Sequence, residues 1–77
     1  SVGNKNKFAE IINSFNDSLM DDIIKVIDEI RTNNSTVEAR DIGIIFIQPN
    51  KFTYNFIDRL SVEINIKYKW NTIKVYL

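Results

Sequence analysis

Near its C-terminal end the sequence sets Lys67, Lys69 and Lys74 among Tyr68, Trp70 and Tyr76. Lysines interleaved with aromatics can hold a single strand of nucleic acid, with ammonium groups on phosphates and rings on bases. The alternation also has a plainer reading. On a strand it puts Lys67 and Lys69 on the face opposite Tyr68 and Trp70, so the rings belong to the core. Lysines along a sheet edge then block edge-to-edge association. The plainer reading is the stronger of the two.

Asp21 and Asp22, with Asp28 and Glu29, are the right residue types for a hard cation. They fall on the polar side of a strongly amphipathic segment, where acids ordinarily form a solvated face. No D-x-D-x-D-G loop accompanies them, so no metal site is assigned. Gly43 stands alone in an apolar run and makes no phosphate loop; it is expected to allow a helix to pack closely across a strand. The junction Gln48-Pro49-Asn50-Lys51 matters more. In parallel α/β sheets, ligands bind beyond the carboxyl ends of strands, and the free N–H groups of a following helix favour an anion. Gln48, Asn50 and Lys51 are therefore the candidate nucleotide-binding residues. The competing reading is a strand end followed by a helix cap.

Other chemistry is excluded by composition. The chain of 77 residues has no cysteine and no histidine. Thiolate nucleophiles, thiolate zinc sites, Ser-His catalysis and imidazole switching are all absent. No catalytic residue is assigned. The lack of cysteine in so small a chain favours a reducing, cytoplasmic home over secretion. Ten basic and ten acidic residues cancel, so the chain as a whole lacks the basic footprint of a nucleic-acid binder. No apolar run approaches the roughly 20 residues of a membrane span, and no membrane partner is expected.

The elements that must position these residues follow from periodicity. Phe8, Ile11, Ile12 and Phe15 have helical spacing, which predicts a short helix within residues 1–16. Asp17 or Ser18 then caps a longer helix over Leu19 to Thr32, with Leu19, Met20, Ile23, Ile24, Val26, Ile27 and Ile30 on its apolar stripe. The run Ile42 to Ile47 reads as a strand buried on both faces, with Ile45 central, and Pro49 stops it. A helix is expected over Lys51 to Ile64. Period two over Ile66 to Trp70 and over Ile73 to Leu77 predicts a C-terminal strand pair. The fold class is α/β, a minimal βαβ core preceded by two helices. Residues 17–77 form a helix-strand-helix-strand-strand unit within a single domain or an excised piece of one. The absent initiating Met and an ending inside a strand pattern fit an excised piece.

The stretch from Asp22 to Tyr68 carries an I..I..I helix, a polar loop and Ala39-Arg40-Asp41-Ile42-Gly43-Ile44. Gln48-Pro49-Asn50, then Leu60, then Ile66-Lys67-Tyr68 follow in order. This succession resembles the region around motif IV of UvrD/Rep-type superfamily I helicases. The resemblance covers most of the chain. It implies part of the second RecA-like domain of an ATP-dependent DNA or RNA helicase, a unit not catalytic alone. It implies ATP and Mg in the parent protein, none held by this chain, and single-stranded or duplex nucleic acid as its partner. The remainder of the motor domain would pack against this unit, and an exposed sheet edge could support a homodimer. In the family an arginine near the end of this strand approaches the terminal phosphate; here the matching position is the uncharged Gln48. The alternative reading is a free-standing α/β module that binds a protein partner. With no phosphate loop and Gln48 in place of the arginine, the chain alone should bind ATP poorly and not hydrolyse it. A turnover assay on the purified chain checks this; hydrolysis that persists after contaminating ATPases are removed would refute it.

Overall fold

The computed structural model describes residues 15–71 and 73–77. The predicted helix of Phe8, Ile11 and Ile12 lies outside the described residues. The described chain runs as helix α1 (Asp17–Asn33), a 3-10 turn (Ala39–Asp41), strand β1 (Gly43–Ile45), helix α2 (Thr53–Tyr68) and strand β2 (Lys74–Tyr76). It is a mixed α/β unit with a two-stranded parallel sheet.

Helix α1 starts where a polar side chain satisfies its first free N–H groups. Asn16, rather than Asp17 or Ser18, is the cap, and its Oδ1 accepts from the Leu19 amide at 3.0 Å. The helix ends at Asn34, whose amide returns to the Ile30 carbonyl. Met20 and Ile27, seven residues apart, are its buried positions, with Leu19, Ile23 and Ile24 packed beside them. Val26 and Ile30 from the same stripe remain exposed.

The α2 helix is longer at its C-terminal end than its periodicity first suggests. Ile66, Lys67 and Tyr68 belong to α2 and not to a strand. The reason is a row spaced by four, Phe56, Leu60, Ile64 and Tyr68, that keeps one helix face on the core. No Gly or Pro interrupts it. The helix stops at Lys69, which adopts the left-handed conformation at φ 62°. The expected C-terminal strand pair is thus a single strand.

That strand, β2, lies parallel to β1 in the register Gly43 to Lys74, Ile44 to Val75 and Ile45 to Tyr76. The Phe46 amide donating to the Tyr76 carbonyl at 2.9 Å extends the pairing. Ile44 and Val75 face inward and are half-buried; the flanking residues of both strands are exposed. The expectation of a strand buried on both faces is therefore corrected. Burying both faces takes helices on both sides, and here α1 and α2 cover one. Ile45 is 70% exposed and Ile47 88%. Gly43 is also explained differently from the expectation: an added Cβ would meet the Tyr76 ring at 3.3 Å, so its near neighbour is a side chain of the adjacent strand and not a helix.

The core unites Met20 and Ile27 of α1, Ile42 before β1, and Phe56, Leu60 and Ile64 of α2. Phe15, Phe46 and Phe56 meet at one end with ring centroids 5.3–6.2 Å apart. Arg59 pairs with Asp17 near the start of α1, and Lys67 pairs with Asp28 further along it. The two helices therefore run the same way, as alternating helices on one side of a parallel sheet must. Leu60 is fully buried. Leu60→Ala should lower unfolding free energy by about 2–5 kcal/mol, whereas Ile45→Asp should change it little. Chemical denaturation of both variants tests the pair, and a larger loss for Ile45→Asp would place β1 in the interior after all.

Candidate functional site

The structure gathers Gln48, Asn50 and Lys51 at the carboxyl end of β1, ahead of α2. Asn50 is committed to the helix. Its Oδ1 accepts from the Phe52 amide at 2.8 Å, its amide donates to Thr53 Oγ1 at 2.8 Å, and its carbonyl accepts from the Thr53 amide at 3.1 Å. Thr53 is fully buried, so this turn is a fixed part of the fold. The Lys51 ammonium lies 5.2 Å from the centroid of the Phe52 ring. Gln48 is exposed and lines an apolar recess with Phe15, Leu19, Ile23 and Phe46. Asn50 thus takes the Phe52 and Thr53 amides, and the start of α2 has no further side-chain cap. No catalytic step is derived at this junction. Among the described residues no cluster of metal-ligating side chains occurs.

The acids of α1 divide in role. Asp21, Asp22 and Glu29 are exposed, as a solvated face requires. Asp28 instead joins the helices. Its Oδ2 accepts from the Lys67 ammonium and its Oδ1 from the Tyr68 hydroxyl. Those two donors, Lys67 first, hold its carboxyl below the usual carboxylate range. Burial, then the Asp28 hydrogen bond, pushes the Tyr68 phenol well above its ordinary value. Beside this clamp, the Arg31 guanidinium sits 5.0 Å from the Tyr68 ring centroid and 5.4 Å from that of Trp70. The two rings are themselves 4.9 Å apart. The sequence pattern gave no sign of this joint, because it links positions some 40 residues apart in the chain.

The interleaved lysines and aromatics are thus separated by the fold. Lys67 and Tyr68 are structural. Lys69, Trp70 and Lys74 line one open recess of about 610 Å3 together with Glu38, Arg40, Asn71 and Ile73. Arg40 joins them although it is distant in sequence. It comes from the 3-10 turn that precedes β1, where Asp41 Oδ2 accepts from the Glu38 amide at 3.0 Å and fixes the turn. The recess lies at the amino ends of both strands, opposite the junction that holds Gln48, Asn50 and Lys51.

A second recess, of about 440 Å3, is apolar. It runs between α1 and β1 and is lined by Ile23, Val26, Ile30, Ile42 and Ile45 among others. No protein-family model, curated protein or solved structure matches this chain. Among the described residues no helix is long and apolar enough to cross a membrane.

The clamp makes stability depend on pH at both extremes. The Asp28 value is lowered by folding, so its contribution is present above the unfolded value of about 3.9 and is lost as pH falls through the lower folded value. The Tyr68 value is raised, so its contribution is complete below about pH 10 and is lost as pH rises beyond that. Urea midpoints measured across pH should fall at both ends. Tyr68→Phe should flatten the alkaline limb, and Asp28→Asn the acid limb. Unchanged limbs in both variants would show that the clamp does not form.

Proposed function

We propose that this chain is part of the second RecA-like domain of an ATP-dependent UvrD/Rep-type helicase, supplying scaffold and not hydrolytic chemistry. The observation that supports it most is the parallel pairing of β1 and β2 around α2, with one sheet face left open. Parallel sheets are almost always covered on both faces, so Ile45, Ile47 and Tyr76 are suited to contact with further helices and strands of a larger domain. In that setting the unit would couple nucleotide state to movement of nucleic acid, while phosphates and magnesium are held by other parts of the parent protein. The lack of a phosphate-loop motif in this chain and the uncharged Gln48 agree with that division of labour. The coding frame around this chain tests the proposal: a phosphate-binding GxxxxGK[ST] loop is expected upstream of it. A frame that encodes no such loop would overturn the reading.

One observation favours a second reading, a protein-binding module. The apolar recess between α1 and β1 opens beside the unpaired edge of β1, where a strand from a partner could add to the sheet. A second copy of the chain could occupy the same edge. If so, sedimentation of the isolated chain should show concentration-dependent dimers, and Ile45→Lys should return it to monomer. A chain that stays monomeric at the highest soluble concentration would exclude pairing through this edge.

A further inference from the structure

The loop between α2 and β2 contains a residue whose backbone does not suit its side chain. Lys69 ends α2 in the left-handed region, φ 62°, where helices usually place glycine. A lysine here costs more backbone strain than glycine, only partly offset where its ammonium meets the Ile66 carbonyl in the last turn, and such outliers point to a role for the side chain. The surrounding loop is braced. The Asn65 amide donates to the Trp70 carbonyl at 3.1 Å and to Asn71 Oδ1 at 3.2 Å. The bracing sets Lys69 and Trp70 on the wall of the open recess at the amino ends of the strands.

That recess concentrates charge in a chain whose total is zero. Arg40, Lys69 and Lys74 face one carboxylate, Glu38. Glu38 pairs with Arg40 at 3.1 Å, but both side chains are well exposed, so the pair is weak and easily exchanged. Among the described residues Lys69 and Lys74 form no ion pair, although the Lys69 ammonium reaches the Ile66 carbonyl at 3.3 Å. Trp70 supplies an aromatic wall and Asn71 an amide with donor and acceptor groups. The indole is half-buried against Tyr68 and Arg31, so it is held in one orientation.

We propose that this recess binds single-stranded nucleic acid, with Arg40, Lys69 and Lys74 on successive phosphates and Trp70 against a base. Cations spread over an open groove suit a repeating polyanion better than one compact phosphate. The aromatic wall and the amide of Asn71 favour nucleic acid over an acidic peptide. The site lies at the opposite end of the sheet from Gln48, Asn50 and Lys51, and it stands or falls separately from the motor-domain reading.

Trp70 is the sole tryptophan of the chain, so its fluorescence reports on the recess directly. Titration of the whole chain with a short oligothymidylate at low salt is expected to quench it. Affinity should fall about tenfold when salt is raised threefold, as three phosphate contacts require. Lys74→Ala and Lys69→Gly should each weaken binding severalfold and flatten the salt dependence. Lys69→Gly should melt at the same temperature as the parent chain or higher, because glycine suits the left-handed position, so lost binding cannot be laid to unfolding. Lys25→Ala, on exposed α1, should bind like the parent chain. The proposal is overturned by an absence of quenching and of any shift in the anisotropy of a labelled oligonucleotide. It is equally overturned if ATP or polyglutamate binds as tightly with the same dependence on Lys69 and Lys74, or if Lys25→Ala weakens binding as much as they do.

Discussion

The fold depends on one row of side chains. Phe56, Leu60 and Ile64 lie four residues apart on α2 and are almost wholly removed from solvent. They are the surface on which α1 and the inner face of the sheet both settle, and neither would have a stable position without them. A parallel pair of three-residue strands has too few hydrogen bonds to persist unaided. Helix α2 is also the connection between those strands, so the element that supplies the core is the one that brings β1 and β2 side by side. Tyr68 continues the same row by one turn and ends it in polar contacts to Asp28 and the Ile24 carbonyl. Apolar burial therefore sets the depth of packing between the helices, and the Asp28 clamp sets their alignment.

The same economy leaves surfaces open. With both helices on one side, the other side of the sheet presents Ile45 and Tyr76 to solvent. Unpaired strand edges and exposed apolar residues are costly in a free-standing protein and natural in a unit that joins a larger one. This is the physical basis for proposing a piece of a motor domain, and also for the rival proposal of a module that captures a partner strand. The two ends of the sheet differ in chemistry. At the carboxyl end Asn50 is consumed in starting α2. At the amino end the loops bring cations and an indole together and leave them facing solvent.

Much of the architecture was legible in the residues. The amphipathic stripe of α1, the apolar run of β1, the stop at Pro49 and the succession helix, strand, helix with a strand at the end all follow from spacing and turn chemistry, although the spacing also predicts one strand too many. The misreadings have specific causes. Ile66, Tyr68 and Trp70 alternate with lysines as a strand would, yet Tyr68 also falls four residues after Ile64, and the core decided between the two periods. Ile45 sits in a run apolar enough for a doubly covered strand, but burial depends on how many layers surround it, which no local pattern records. Asp28 looked like any acid on a solvated face because its partners, Lys67 and Tyr68, come from the far end of the chain.

By itself, then, the sequence determined the α/β class, most element boundaries, the inner faces of both helices, and the absence of cysteine and histidine chemistry. These rest on local spacing and composition, which need no knowledge of neighbours. Only the tertiary structure decided that one face of the parallel pair stays open, that Asp28 joins the helices, and that Arg40 stands with Lys69, Trp70 and Lys74. Each of those facts rests on contacts between segments distant along the chain. Such contacts are fixed by which apolar faces can be buried together, a property of the whole fold and not of any stretch within it.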